Sequence, residues 1–184
     1  MLVEDTAIAE VKIITPKKFG DARGFFCEVY NRAAFEKAGL HLDFMQDNHS
    51  YSAAVGTIRG LHFQTAPFAQ DKLVRVARGR VRDVAVDLRR GSPTFGAHVA
   101  VELSAANGRQ LLVPVGFAHG FCTLEPDCEV LYKVTNLYSA VNDGGLAFDD
   151  PALGLDWGVD PAKAVLSDKD RKHPRLADLG PQFG

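Results

Sequence analysis

The sequence predicts a mainly β fold, a sandwich, jelly roll or barrel, built as one domain. Nine short runs favour strands, and Gly, Pro, Asn or Asp residues with turn preference separate them. Only one segment has a clear helical pattern. A length of 184 residues falls in the usual range for a single domain, so the chain can build a core without needing a metal or a disulfide.

Each predicted element follows from its local residue pattern and from the turn-forming or capping residues at its ends. In chain order the predicted strands are Val11–Thr15, Gly24–Tyr30, Thr57–Phe63, Lys72–Ala77, Arg80–Asp87, Ala97–Leu103, Arg109–Val113, Ala118–Thr123 and Cys128–Asn136. Asn31–Ala38 is predicted to be a helix because Asn31 can cap it and Gly39 can end it. From about Pro151 the chain is rich in Asp, Pro and Gly, so we expect a tail over the main body with at most one short helix.

Strand alternation predicts that three polar side chains point inward. Lys72, His119 and Tyr132 each share a strand face with apolar neighbours. A single inward tyrosine or histidine is more often a satisfied core residue, whereas an inward ammonium is costly to bury. The three together therefore favour a polar cavity inside a barrel.

The stretch GTIRGLHFQ contributes two more polar side chains to the same region. Arg59 and His62 have opposite parity along the strand, so both reach one cavity only if the chain bulges or bends at Gly60. A neutral histidine can act as a base, a phenol as an acid, and a lysine can stabilise the charge that develops beside a carbonyl. Arg59 and Arg23 have small neighbours and suit a phosphate group.

Composition excludes several classes of partner. A net charge of −2 lacks the basic excess of a protein that binds nucleic acid or an anionic membrane, so we expect a small-molecule partner. The three cysteines show no CxxC spacing, and the N-terminal stretch has no secretory pattern, which favours the cytoplasm. The six histidines form no HxH pair, so we expect no metal, although a metal-dependent oxygenase stays an alternative.

Seven blocks of the chain are similar to one known family. They are DARGFFCEVY, QDNHS, GTIRGLHFQ, QDKLVRVARGRVRDVAVDLRRGSPTFG, VPVGFAHGF, LYKVTNLYS and LSDKD. Together they resemble the dTDP-4-dehydrorhamnose 3,5-epimerases, cupin-fold sugar-nucleotide epimerases, from about Asp21 to about Leu179. The resemblance implies a cupin-type double-stranded β-helix, a jelly-roll barrel with a few short helices. It implies a homodimer in which the strands and short helix of residues 1–50 are exchanged, around a core of residues 51–140 and a tail of residues 141–184.

The resemblance also implies a reaction and the residues that perform it. The reaction converts dTDP-4-dehydro-6-deoxy-D-glucose to dTDP-4-dehydro-L-rhamnose by inverting C3 and C5 through enolates, without a cofactor. His62 would be the base, Asp170 the carboxylate that orients it, Tyr132 the acid on the other face, and Lys72 the stabiliser of the enolate. The implied substrate-binding residues are Arg23, Glu28, Gln46, Asp47, Asn48, Arg59, His119, Tyr138, Asp143, Lys169 and Phe19.

Some of these expectations carry alternatives. Asp143 stands where the family commonly has a glutamate, which leaves its contact open, and Phe19 is expected to come from a neighbouring subunit. Relatives that epimerise only C3 or only C5 share the same base and acid, so a single-position epimerase is one alternative. A cupin that binds a sugar nucleotide without turning it over is another, and the complete base and acid pair argues against it.

Overall fold

Two β-sheets face each other in the computed structural model, which describes residues 1–183. The strands β1 to β13 are, in chain order, Leu2–Asp5, Lys12–Thr15, Lys18–Asp21, Gly24–Cys27, Gln46–Ser52, Ile58–Gln64, Lys72–Arg78, Arg80–Asp87, His98–Ser104, Gln110–Val113, Phe117–Thr123, Cys128–Val134 and Asp143–Gly145. Helix α1 is Arg32–Lys37, and single 3₁₀ turns cover Pro161–Lys163 and Asp170–Lys172. None of the helices within residues 1–183 has the length and apolar character needed to cross a membrane.

The strand order is that of a jelly-roll barrel of the cupin type. The larger sheet has the order β1-β2-β10-β7-β12-β5, and the smaller sheet has the order β13-β6-β11-β8-β9. The pairs within both sheets are antiparallel, and β3 and β4 form a separate hairpin. The predicted mainly β fold is confirmed.

All nine predicted strands are present, and all but one agree within two residues at each end. The exception, Gly24–Tyr30, ends at Cys27. The missed strands β1, β3, β5 and β13 are short or polar. β5 reads QDNHSYS because its inward face borders a polar cavity instead of a core, and this removes the apolar alternation that marks a strand.

The helix begins as predicted, and the tail differs slightly from expectation. Asn31 caps α1 by accepting a hydrogen bond from the Ala34 backbone N–H at 3.1 Å. The tail contains two single 3₁₀ turns, one more than expected, because Asp160 caps the first and Ser167 accepts backbone N–H groups of the second.

Three apolar clusters hold the layers together. The cluster between the sheets includes Val74, Val76, Val81, Ala85, Leu103, Leu111, Phe117, Phe121 and Val130. On the outer face of the smaller sheet, the tail packs through Leu153, Trp157 and Ala164 onto Ile58, Leu61, Phe63, Val84 and Val86. On the outer face of the larger sheet, α1 packs through Phe35 onto Ile14, Leu73 and Leu112. Each sheet is therefore covered on both faces, and one end of the space between them is left for polar residues.

The bend expected at Gly60 is present in β6. The pairing of β6 with β11 shifts register between His119 and Phe121, and Gly60 has a φ of +129°. A Cβ at Gly60 would lie 2.6 Å from the Cα of Gly120, so only glycine allows the two strands this close. The local change of register brings Arg59 and His62 to the same cavity despite their opposite parity.

Replacing Gly60 with alanine is expected to destabilise the fold by more than about 2 kcal/mol, because a strained φ and a backbone collision act together. Urea unfolding monitored by the single tryptophan measures the change. Gly91→Ala is the matched control: a Cβ there meets nothing within 4 Å, so its effect should stay within about 0.5 kcal/mol. Equal stabilities for the two variants would contradict the close approach of β6 and β11.

Candidate active site

One cavity of about 470 Å³ is lined by all four predicted catalytic residues, His62, Lys72, Tyr132 and Asp170. β6 contributes His62 and Arg59, β11 contributes His119, β7 contributes Lys72 and β12 contributes Tyr132. Because β6 and β11 belong to the smaller sheet and β7 and β12 to the larger one, His62 and Tyr132 enter the cavity from opposing walls. The inward orientation predicted for Lys72, His119 and Tyr132 is confirmed.

His62 is paired with the carboxylate that the resemblance implies. Its Nε2 lies 2.6 Å from Oδ1 of Asp170, a residue 108 positions later in the 3₁₀ turn of the tail. Burial raises the pKa of Asp170, but the hydrogen bond and charge of His62, with smaller contributions from the Gly60 N–H and Ser167, outweigh it and lower the pKa overall. The carboxylate is therefore ionised at neutral pH and fixes the imidazole with Nδ1 free to act.

Lys72 supplies a positive charge to the cavity, and burial of this charge is unfavourable for folding. Burial lowers the pKa of its ammonium from 10.5 to about 8, although the negative charges of Asp143 and Asp83 partly counteract it. Its Nζ donates a hydrogen bond to the backbone carbonyl of His62 at 3.2 Å. Most Lys72 side chains are thus protonated at pH 7 and held close to His62.

Tyr132 keeps its proton over the working pH range. Burial raises the pKa of its phenol above the usual value of 10, against a smaller opposite effect from Arg59. Arg59 itself donates hydrogen bonds to Ser52 Oγ at 3.1 Å and to the Tyr51 carbonyl at 2.8 Å, which fix its guanidinium at the rim. The cavity thus contains a proton acceptor on one wall and a proton donor on the other.

The sequence analysis missed a second histidine–carboxylate pair, which lies on the smaller sheet, the wall that also carries His62. His119 Nε2 lies 2.8 Å from Oδ1 of Asp83, and both side chains are buried. The other oxygen of Asp83 has no hydrogen-bond partner within residues 1–183. The alternation of residues along β8 could have predicted that Asp83 points inward, because Asp83 shares its face with Val81 and Ala85, two residues of the inner core.

A smaller cavity of about 230 Å³ shares part of its lining with the first, and we call it the polar mouth of the site. It shares His62, Lys72, Tyr132 and Lys169 with the larger cavity and adds Gln46, Asn48, Tyr138 and Asp143. Asp143 accepts a hydrogen bond from the Tyr138 hydroxyl at 3.0 Å and pairs with the Lys169 ammonium. Gln46 Oε1 accepts from the Tyr138 backbone N–H at 3.1 Å. The shorter carboxylate of Asp143 therefore joins two of the predicted substrate-binding residues to each other.

Four predicted substrate-binding residues lie away from both cavities of their own chain. Asp47 is exposed on the outer face of β5 and pairs with Lys133, because strand alternation turns it away from Gln46 and Asn48. Arg23 is at the β3–β4 hairpin with a side chain 90% exposed, paired with Asp21. Phe19 and Glu28 line a separate surface pocket beside α1. The structure of one chain brings together eleven of the fifteen predicted site residues.

A third histidine gives the site the composition of a metal-binding set. His62, Asp170 and His173 place one potential ligand atom each within 4.8 Å of one another. Nitrogen and oxygen ligands around one Zn²⁺ would be about 3 Å or more apart, given bond lengths near 2.0–2.2 Å. The separation of 2.6 Å between His62 and Asp170 is instead that of a charge-assisted hydrogen bond. The arrangement suits proton transfer better than metal coordination.

The chain is similar to proteins of one family over its whole described length. A sequence profile described as dTDP-4-dehydrorhamnose 3,5-epimerase matches residues 5–178. The dTDP-4-dehydrorhamnose 3,5-epimerase of Sinorhizobium fredii is 54% identical over 183 residues, which cover 100% of this chain and 93% of that one.

Solved structures show the same likeness. The Bacillus anthracis dTDP-4-dehydrorhamnose 3,5-epimerase with TDP and PPi bound has a TM-score of 0.92 at 52% identity, covering 95% of this chain and 98% of that one. The dTDP-6-deoxy-D-glucose-3,5-epimerase of Legionella pneumophila, in complex with dTDP-4-keto-L-rhamnose, has a TM-score of 0.93 at 41% identity, covering 100% and 98%.

Replacing Lys72 with methionine is expected to stabilise the fold at pH 7 by about 1–3 kcal/mol, because a desolvated ammonium is removed. The folded wild-type protein loses the Lys72 proton near pH 8, before the unfolded chain does, so the wild type regains this stability between about pH 8 and 10.5. The advantage of the variant should therefore be largest at and below pH 8 and should shrink toward pH 10.5.

Urea unfolding at pH 7 and pH 10 measures both effects. Lys163→Met serves as the control, because this lysine side chain is 84% exposed and its removal should change the free energy of unfolding by less than about 0.5 kcal/mol. A Lys72→Met variant less stable than the wild type at pH 7 would show that burial of the ammonium does not destabilise the fold.

Proposed function

The chain belongs to the dTDP-4-dehydrorhamnose 3,5-epimerase family, and we propose that His62 and Tyr132 carry its reaction. That reaction inverts C3 and C5 of dTDP-4-dehydro-6-deoxy-α-D-glucose to give dTDP-4-dehydro-β-L-rhamnose. The observation that supports these roles is the entry of an imidazole and a phenol into one cavity from opposing sheets. Inversion needs this arrangement, because a group that removes and returns a proton on one face restores the starting configuration.

The proposed mechanism has two proton transfers at each carbon. Nδ1 of His62 removes the proton next to the C4 ketone, and the electron pair of the C–H bond moves into an enolate. The Lys72 ammonium stabilises the negative charge on the enolate oxygen, a type of contribution typically worth about 2.7–4 kcal/mol. The Tyr132 hydroxyl then gives its proton to the carbon from the opposite face. Exchange with water returns both groups to their starting protonation states.

The polar mouth suits the nucleotide end of this substrate. Arg59 offers a planar guanidinium at the rim for the diphosphate. Tyr138 is 59% exposed and is held by Asp143 and Gln46, so its ring is available to stack on the thymine base. Asn48 and Lys169, which line the same cavity as Tyr138, provide further hydrogen-bond donors.

The β3–β4 hairpin supports a homodimer in which each subunit completes the site of the other. Within residues 1–183 it forms no strand pairs with either sheet, and Phe19, Phe25 and Phe26 on it are 53%, 63% and 69% exposed. Isolated hairpins are marginally stable and exposed apolar clusters mark interfaces, so a second subunit is the natural partner for this surface. Arg23 and Glu28, which lie away from their own cavity, would then contact the nucleotide held by the neighbour.

The compartment we propose is the cytoplasm. Cys27, Cys122 and Cys128 are all free thiols, as is usual where a reducing environment keeps cysteines unpaired. Two of the three are buried in strands of the barrel, so they act as small packing residues.

Incubation with the ketosugar in heavy water tests the reaction directly. The wild type should place deuterium at both C3 and C5 of the inverted product. Label at only one carbon would identify a single-position epimerase, and no label with intact nucleotide binding would identify a binding protein. NMR of the recovered sugar nucleotide distinguishes the three results.

The two proposed proton carriers should respond differently in the same experiment. His62→Asn should lose both exchange and inversion, because no base remains. Tyr132→Phe should lose inversion by about 10²–10⁴-fold while His62 still exchanges the substrate proton with solvent on one face. Tyr51→Phe is the matched control, since that exposed hydroxyl binds Asp127 outside the cavity. Inversion at the wild-type rate by Tyr132→Phe would refute the assigned acid.

The pH profile of kcat/KM should show the loss of the Lys72 proton. The rate is expected to fall above about pH 8, by up to tenfold per pH unit, as burial lets the ammonium lose its proton. The raised pKa of Tyr132 places its own loss above pH 10. Lys72→Arg keeps the positive charge and should move the alkaline limb upward, whereas an unchanged limb would assign it to another group.

Mixing two inactive variants tests the exchanged hairpin. A His62→Asn subunit paired with an Arg23→Ala subunit has one intact site only if Arg23 acts in the neighbouring subunit. Random reassociation should then restore about a quarter of wild-type turnover, because half of the dimers are mixed and each has one good site. No restoration in dimers shown to have mixed would assign Arg23 to its own chain.

A further inference from the structure

A third histidine lies behind the His62–Asp170 pair. His173 follows the 3₁₀ turn directly, and its side chain is only 9% exposed. Its ring packs edge-to-face against the ring of His62, with centroids 5.5 Å apart and an interplanar angle of 80°. Its Nε2 lies 3.5 Å from Oδ1 of Asp170, the same oxygen that binds His62. Two imidazoles thus converge on one carboxylate oxygen.

The smaller sheet leaves space for this ring. Gly145 of β13 is the strand partner of His62, so it lies beside the base. A Cβ at Gly145 would lie 2.2 Å from Cε1 of His173 and 2.3 Å from both ring nitrogens. Any other residue at Gly145 would displace the ring, so the position of His173 is built into the strand next to the base.

Burial of a histidine at this place has a cost that an apolar ring would avoid. His173 Nε2 is inaccessible to water and has no hydrogen-bond partner within residues 1–183, a situation that costs about 1–3 kcal/mol. The carboxylate oxygen that faces it belongs to Asp170. Hydrogen bonds of catalytic groups are often long before substrate binds and shorten in the reacting complex. A modest approach of the two side chains would satisfy the nitrogen.

Burial is the main reason why the pKa of His173 is lowered and its imidazole stays neutral. Burial lowers the pKa of its imidazole, the neighbouring His62 and Lys169 lower it further, and Asp170 opposes them. Lys172 and Asp143 line the surface pocket over the other side of the ring. A neutral imidazole carries one N–H, so His173 can donate one hydrogen bond and does not compete with His62 for the substrate proton.

We infer that His173 is a positioning residue for the proposed reaction: its Nε2–H donates to Asp170 Oδ1 and fixes the carboxylate that orients His62. The inference rests on the proposed role of His62 as the base. A second donor limits rotation of the carboxylate and reduces its basicity. Loss of this donor leaves Asp170 a stronger acceptor, which raises the basicity of His62 and loosens its orientation. Loss of a group that orients a metal-ligating histidine commonly costs about 10–100-fold in activity, and we expect an effect of the same order for a group that orients His62 through Asp170.

Two variants separate the nitrogen from the ring. His173→Phe keeps a flat ring in the space over Gly145 and removes the donor, so kcat should fall about tenfold with KM within about twofold. The acid limb of its kcat/KM profile should move to higher pH, because His62 becomes more basic. His173→Gln places an amide N–H at a similar distance from the backbone and should keep kcat within about threefold of the wild type. Affinity for dTDP and urea unfolding show whether each variant keeps its fold.

Three results would overturn the inference. The first is a His173→Phe variant with the wild-type rate and pH profile. The second is a loss of kcat in His173→Gln as large as or larger than that in His173→Phe, with unchanged unfolding, which would show that an N–H donor at this position is not what the reaction needs. The third needs no variant: ¹⁵N spectra of the wild type should show the Nε2–H tautomer of His173, and the Nδ1–H tautomer would leave no proton to donate. Failure of the proposed function is separate, because the wild type itself would then exchange no deuterium.

Discussion

The hydrogen bond between His62 and Asp170 is the contact on which the site depends, because it joins a barrel strand to the C-terminal tail. Asp170 is buried, which alone would raise its pKa and favour the neutral acid, but the hydrogen bond of 2.6 Å to His62 and the charge of that ring lower the pKa overall. The apolar packing of Leu153 and Trp157 on the smaller sheet holds the tail in place, while Ser167 accepts the Asp170 backbone N–H. The outer layer of the fold therefore holds the carboxylate that orients the His62 ring inside the barrel.

The two-sheet architecture supplies the second requirement, which is access to both faces of a sugar ring. A single strand or helix cannot place a base and an acid on opposite sides of one carbon, whereas facing sheets do so through their ordinary inward side chains. The same geometry places Lys72 among apolar neighbours, where its charge opposes folding and is available for the proposed reaction. Stability for this end of the barrel comes instead from the inner apolar cluster of Val74, Val130 and their neighbours.

Alternation along strands was enough to predict which way Lys72, His119 and Tyr132 point, because apolar neighbours mark the inner face. The same rule fails for β5, since a strand that borders a polar cavity has no apolar face to reveal it. The rule also fails for Asp170 and His173, because their segment has no helical or strand periodicity and its position depends on tertiary packing. Asp170 was predicted from the family resemblance alone. Opposite parity at Arg59 and His62 did indicate a bend at Gly60, because only a change of register can bring both to one cavity.

The proposed catalytic groups lie together in one chain, whereas the predicted substrate-binding residues are divided between the cavities and the surface of that chain. The groups proposed to touch the reacting carbons, His62, Tyr132 and Lys72, all line one cavity of one chain and are held by neighbouring strands. By contrast, Arg23 and Phe19 extend from an exposed hairpin that contacts neither cavity of its own subunit. Proton transfer needs positions fixed within fractions of an ångström, which a packed barrel provides. A charged diphosphate and a stacked base tolerate more movement, so contacts with these groups can come from a second subunit without loss of precision at the sugar.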